Sequence, residues 1–327
     1  MSATDDGRGG GVPIRDARRI LAAHGGRPAA PGGESLERQA RPSSVPRLDG
    51  APLLEGHQIE ARDLMGAPVA AFGAFLDGIQ RSVVIGYLDI TIPVVHGTTA
   101  AAIRERDDRT LHTWSDGPIV ERSLFLPAAL AGTSTMSALA ASGIPVHDTL
   151  PAADPVALRH PAELLGLARQ AVQARREQAE ERLAGAWCAS ARTPLYVDGG
   201  IGGFAAASRS PLAVGVVKSH HTLYVDADAV ATVASLRPGQ RTSAFVVATR
   251  RRTRVASWYL RLRDTGAPLG GLVRLEVAEA GFDSARADQI SGWVLAEREP
   301  VALPDSRWDV MAYGIRDCEE YLRAVAG

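Results

Sequence analysis

The chain has 327 residues, 46% of them hydrophobic, and a formal charge of -1 at pH 7. That length supports one large domain or two small ones with a sizeable core, and the near-neutral balance excludes a generally basic coat, so any basic surface must be local. Two cysteines, Cys188 and Cys318, give no disulfide framework and rule out a cysteine-rich zinc site. No apolar run reaches the roughly 18 residues of a membrane span, and no apolar signal core opens the chain, so a cytoplasmic protein is expected.

Residues 1–50 are rich in Gly, Pro, Ser and Arg. They carry one short helical pattern at 14–23 and read as a mostly flexible tail. A folded domain over 51–327 follows, its core pattern starting near Glu60. From 70 to 103 the pattern is β: 71–76, 82–87 and 91–95 are apolar or β-branched runs broken by Gly, Asp and Pro. They suggest a meander led by a strand that ends at Asp77. Another strand is expected at 121–126, then an irregular stretch over 130–161.

A helix is predicted from 161 to 187, with Pro161 in its first turn. At 100° per residue, Leu165, Ala168, Val172, Ala179, Leu183 and Trp187 form one apolar stripe. Glu180 sits roughly 60° from the stripe centre, Glu177 and Glu181 roughly 120° and 160°. Glu180 is therefore the acid best placed to lean over a site beside the core, with the other two better placed for solvent. Strands are expected at 195–198, 213–219, 223–226, 257–263 and 271–277. Helices are expected at 228–236, 287–297 and 306–324, the last with a stripe through Trp308, Met311, Ile315 and Leu322. Strands, a long helix, then more strands and helices indicate a mixed α/β sheet with flanking helices.

Asp77-Gly78 and Asp198-Gly199 each close an apolar run. Asp-Gly is a common turn signal, and that is one reading. The other starts from the cost of an unpaired carboxylate at the tip of a buried strand. Strand tips can gather distant acids, and gathered acids stay ionised only around a cation. Asp77, Asp198 and Glu180 would supply three oxygen ligands to Mg²⁺ or Mn²⁺. Two such ions about 3.5–4 Å apart suit phosphodiester hydrolysis.

Lys218, the single lysine among 36 Lys and Arg residues, ends an apolar run. It could hold a phosphate as a point charge or lie on the surface. His220 and His221 are adjacent and would face opposite sides of a strand, a poor chelating pair. Arg250, Arg251, Arg252, Arg254, Arg261 and Arg263 cluster beside Trp258 and Tyr259. They suit either a single-strand nucleic-acid groove or a solvated loop and sheet face. Arg274 and Glu276 share one strand face and would pair with each other, or Glu276 would add an outer ligand. The Gly200–Ala205 run mimics a dinucleotide fingerprint, but Asp198 would point negative charge at the pyrophosphate. No Walker sequence or Gly-x-Ser-x-Gly elbow is present.

Taken in order, Phe75-Leu76-Asp77-Gly78, Glu180, Tyr196-Val197-Asp198-Gly199, Gly215-Val216-Val217-Lys218-Ser219, Trp258-Tyr259-Leu260-Arg261-Leu262 and Val273-Arg274-Leu275-Glu276-Val277 resemble the NurA family of DNA-repair nucleases from about Ala70 to Ala324. The resemblance implies an RNase H-like core, a homodimer around a central channel and Mn²⁺-dependent cleavage of DNA. It also implies 5′ to 3′ exonuclease and single-strand endonuclease activity in end resection beside HerA, a hexameric ATPase, and so a nucleoid-associated place in the cytoplasm. Asp77, Glu180 and Asp198 match the family's metal-binding acids, the glutamate with a one-turn ambiguity. Lys218 would steady the scissile phosphate; Arg274 and the 250–263 arginines and aromatics would guide the strand. The family's C-terminal Tyr-Pro and following histidine have no counterpart in 307–317, where Tyr313 and Arg316 are the candidates to replace them. Two other roles remain open: a non-cleaving DNA-binding adaptor of the translocase, and a nuclease of the same fold in phage defence.

Overall fold

In the computed structural model the described residues are 14–29, 34–35, 45–115, 117–150, 160–249, 252–298 and 313–326. The expected N-terminal helix forms at Ile14–Ala23 (α1), and it is not part of a loose tail. Its Ala17 and Leu21 are fully buried against Val83, Ile85 and Val94. Residues 45–59 likewise reach the sheet, with Leu54 N–H donating to the carbonyl of Ala244. The folded part therefore begins well ahead of Glu60.

The meander expected at 70–103 is one long hairpin. Ala74–Leu88 (β1) and Ile92–Asp107 (β2) pair antiparallel along their length, and Ile119–Leu126 (β3) pairs antiparallel with β2. The expected break at Asp77-Gly78 is absent: Asp77 pairs with Ala102 and Gly78 with Ala101 in an unbroken ladder. Between β3 and the long helix, the stretch expected to be irregular holds a short helix, Thr133–Ala141 (α2), and a strand, Val146–Asp148. The Ala, Ser and Thr content of α2 gives almost no apolar stripe, which is why periodicity misses it.

Pro161–Ser190 (α3) crosses over the sheet and delivers Leu195–Asp198 (β4) parallel beside β1, with Ala213–Val217 (β5) parallel beside β4. A helical turn at Val230–Ala234 (α4) replaces the longer helix expected at 228–236. Arg252–Arg261 (β6) and Leu272–Ala278 (β7) extend the sheet, β7 antiparallel to both β5 and β6. Ser284–Ala296 (α5) and Tyr313–Ala326 (α6) end the described chain. Trp308 and Met311 of the expected C-terminal stripe lie outside the described residues. The order across the sheet is β3-β2-β1-β4-β5-β7-β6, within 14 strands once the short edge segments are counted.

Helices cover both faces. The α3 stripe behaves as expected: Ala168 and Val172 meet Val84, Val95 and Phe125, while Ala179, Leu183 and Trp187 meet Leu76, Ala101 and Val197. On the other face, Ala287, Ile290, Val294, Ile315 and Cys318 pack on Phe75, Tyr196, Val214, Val216 and Trp258. Gly314 lies directly on the Phe75 ring, where a Cβ would come within 2.2 Å. An ion pair between Arg104 and Asp317 ties α6 to β2. Trp187 ties α3 to the connection that leads into β4, because its indole N–H donates to the carbonyl of Thr193 at 3.0 Å. Trp187→Ala should therefore cost about 3–5 kcal/mol, read as a lower urea midpoint with an unchanged slope.

Candidate active site

Parallel pairing of β1 and β4 sets Leu76 level with Val197. One residue further along, Asp77 and Asp198 are neighbours on strands about 4.8 Å apart. The alternation that sends Phe75 and Tyr196 into the same cluster sends both aspartates to that face as well. Two ionised groups at roughly 5 Å and an effective dielectric of about 20 repel by about 3 kcal/mol, so the register itself creates an electrostatic problem.

Asp77 bears most of it. The residue is 9% exposed, and one carboxylate oxygen accepts the N–H of Gly78 at 2.7 Å. Burial, and then the charge of Asp198, lift its proton affinity well above the usual carboxylate range; Lys218 and the Gly78 N–H oppose this. Asp198 is half-buried at the end of β4, and Gly199 turns the chain at φ 122°, a conformation that favours glycine. Lys218 Nζ donates to Asp198 Oδ2 at 2.7 Å. This contact follows from register: Asp198 pairs with Val216, and Lys218 lies two residues beyond on the same side.

Glu180 approaches from α3. At 4% exposure it is the buried member of the three helix glutamates. Glu177 is hydrogen-bonded to Gln173, and Glu181 accepts the N–H of Ala205. Glu180 lies directly on Gly78, where a Cβ would come within 2.1 Å of its Oε1. That contact, not a turn, accounts for the first Asp-Gly. The Arg176 guanidinium donates to Glu180 Oε1 and also, at 3.1 Å, to Gln80. Burial outweighs Arg176 and raises the Glu180 pKa to about 7. Arg176 is a site residue that the composition of the helix does not single out, although its position four residues before Glu180 is a readable helical pairing signal.

The expectation of three carboxylates within mutual coordination range is not met. Among the described residues no group of three or more His, Cys, Asp and Glu is arranged to hold a metal. The physical reason is visible: Glu180 comes from α3 on the Leu76 and Val197 face while the aspartates follow Phe75 and Tyr196 on the other, and Asp198 leans on Lys218 and Glu180 on Arg176. The donor chemistry still suits a hard divalent ion at the Asp77–Asp198 pair, since Mg²⁺ is often held by one or two carboxylates with water completing its shell. Asp77, buried and without an ion pair of its own among the described residues, is the group that a cation would relieve most.

Of the residues expected to form a nucleic-acid groove at 250–263, most of those described are buried or paired. Trp258, Tyr259 and Arg261 are buried, because β6 is covered on both faces. Trp258 donates its indole N–H to Ser291, and the Tyr259 hydroxyl accepts the N–H of Tyr224. Arg261 donates to the carbonyls of Leu236, Ala234 and Pro268. Arg254 is paired with Glu279, and Arg263 reaches the carbonyl of Arg298. Arg250 and Arg251 lie outside the described residues, as does the side chain of Arg252. Arg274 is also buried and pairs with Glu276 at 2.6 Å, so it does not meet a strand either. Glu276 turns its second oxygen to the loop after Asp198, not to the acids. His220 bonds the carbonyl of Leu272 through Nε2.

No protein-family model matches this chain. No curated protein matches it either. Among solved structures it is similar to the crystal structure of the NurA nuclease from Sulfolobus solfataricus, at a TM-score of 0.48 and 10% sequence identity over 80% of this chain and 81% of that chain. No helix among the described residues is long and apolar enough to cross a membrane.

The raised carboxyls fix how stability depends on pH. A carboxyl that binds its proton more tightly when folded stabilises the fold below its unfolded pKa and loses that contribution as pH rises through the folded value. For Glu180 the window runs from the ordinary 4.5 to about 7, and Asp77 extends the loss upward. The melting temperature of metal-free protein should fall between pH 5 and 7.5. Glu180→Gln should flatten that fall, and Asp77→Asn should raise the pH 7.5 melting temperature by about 2 °C or more.

Proposed function

We propose that this protein is a metal-dependent nuclease whose centre is the Asp77–Asp198 pair, with Glu180 beside it. The observation that carries the reading is the register-matched placement of two aspartates on adjacent parallel strands, one of them buried with its proton affinity raised by burial and by the other's charge. The order β3-β2-β1-β4-β5, an antiparallel meander followed by two parallel strands, supports an RNase H-like description of the sheet.

Asp77 and Asp198 would hold a divalent ion, Mn²⁺ or Mg²⁺, which when bound supplies Lewis acidity and a water of lowered pKa. Each protein group then has a definable task. Glu180, with a pKa near neutrality, exchanges a proton within the working range. Lys218 neutralises Asp198 in the resting site and is the flexible ammonium nearest to where a phosphate would sit. Arg176 restrains Glu180 against β1. DNA is the substrate class proposed; service to a hexameric translocase, a homodimeric assembly and a role in end resection belong to the same proposal.

One observation favours the second reading, a non-cleaving nucleic-acid-binding adaptor: two of the three acids are already neutralised by side chains of the chain itself. Degradation of 5′-labelled single- and double-stranded DNA with Mn²⁺ separates the two. Asp77→Asn and Asp198→Asn should each lose at least ~10²-fold in rate, the scale of a lost catalytic electrostatic contact. Gly78→Ala should lose activity with little change in melting temperature, because the added methyl displaces a side-chain carboxylate and not backbone. Cleavage in the parent with undiminished rates in both Asn variants refutes the assignment of the acids. DNA binding by the parent with no cleavage supports the adaptor.

A further inference from the structure

A buried ion pair behind Asp198 takes no part in the chemistry above. Glu276, 1% exposed on β7, accepts the Arg274 guanidinium at 2.6 Å through Oε1. Its Oε2 accepts two successive backbone N–H groups, Ile201 at 2.8 Å and Gly202 at 3.1 Å. Arg274 is held in turn by the Ser257 hydroxyl at 3.1 Å and lies over the Tyr224 ring at 4.9 Å. Three glycines let the carboxylate and the loop come this close. A Cβ at Gly200 would come within 2.8 Å of Glu276 Oε2, and one at Gly215 would come within 2.8 Å of the Gly199 carbonyl oxygen. Gly199 supplies the left-handed turn, and its N–H donates to the Val216 carbonyl at 3.0 Å.

A solvent-facing turn would not require a fully buried carboxylate to hold it, since burying two charges is costly unless the pairing is complete. Here the pairing is complete, and the loop it fixes starts at the residue after Asp198. We propose that Glu276 is a positioning residue for Asp198. By clamping the Ile201 and Gly202 amides it sets the direction in which the chain leaves β4, and so holds the Asp198 carboxylate at the spacing from Asp77 that a divalent ion needs. The inference rests on the metal-site reading and adds a residue to it that touches neither ion nor substrate.

The test uses full-length protein and Mn²⁺ alone. Glu276→Gln keeps the shape but strands the Arg274 charge. The double substitution Arg274→Met with Glu276→Met removes both charges, and replacing a buried pair with apolar groups of similar size is often neutral for stability. It leaves the two amides without their acceptor. In folded double variant, hydrogen exchange at Ile201 and Gly202 should quicken at least ~10-fold, and Mn²⁺ affinity by calorimetry should weaken at least ~10-fold. Lys218→Met should leave amide exchange at Ile201 and Gly202 at the parental rate. Faster exchange with parental Mn²⁺ affinity overturns the proposal, leaving Glu276 a structural group. Unchanged exchange overturns it too, because the clamp is then not what fixes the loop. If the double variant does not fold, Glu276→Gln measured well below its melting temperature decides by the same two readouts. A parent that binds no Mn²⁺ defeats the metal-site reading itself, and this proposal with it; a parent that binds while the variants match it defeats only the role of Glu276.

Discussion

Two aspartates forced side by side by strand register are the constraint around which this molecule is organised. β1 and β4 must pair parallel to bury the apolar residues that precede Asp77 and Asp198, among them Leu76, Val197, Phe75 and Tyr196. Hydrophobic burial fixes the register, since a one-residue slip would turn every one of those side chains to the wrong face. The repulsion between the carboxylates is thus imposed by the core. It is offset locally by Lys218 on Asp198, while Asp77 carries it as a raised proton affinity.

The neighbouring features follow from that arrangement. Glu180 can approach β1 from the α3 face only because Gly78 leaves room there, and it stays there because Arg176 holds it. The chain leaves β4 through a glycine turn anchored by Glu276, itself neutralised by Arg274. Asp198, Glu180 and Glu276 each pair with a cation, whereas Asp77 has no ion pair of its own among the described residues. Asp77 is therefore the point at which an added divalent ion would change the electrostatic balance most, and it is strand β1, covered by α6 and crossed by α3, that keeps it from relaxing into solvent.

Much of this was legible in the sequence. The apolar runs before Asp77 and Asp198 and the α3 wheel placed the three acids on the elements where they lie, and the wheel separated Glu180 from Glu177 and Glu181 because the buried stripe was strong. What failed were inferences from local composition. Asp-Gly at 77–78 signalled a turn, but the glycine there accommodates a side chain from a helix about 100 residues away in sequence, which no local rule can see. The arginines and aromatics of β6 suggested a groove, but β6 lies between two helix-covered faces, and Arg261 satisfies itself on backbone carbonyls. Arginine count says nothing about burial when tertiary acceptors are available. The reading of 1–50 as a mostly flexible tail does not hold at α1 for a related reason: Ala17 and Leu21 are too few to announce a core contact, yet they close one.

The most direct test is a carbon-detected NMR titration of the Asp77 side-chain carboxyl in metal-free protein, compared between the parent and Asp198→Asn. The account predicts that Asp77 titrates well above the ordinary carboxylate range in the parent, that removing the Asp198 charge lowers that value, and that Mn²⁺ at trace paramagnetic levels broadens this resonance first. An Asp77 carboxyl that titrates near its ordinary value, or one indifferent to Asp198, would contradict it.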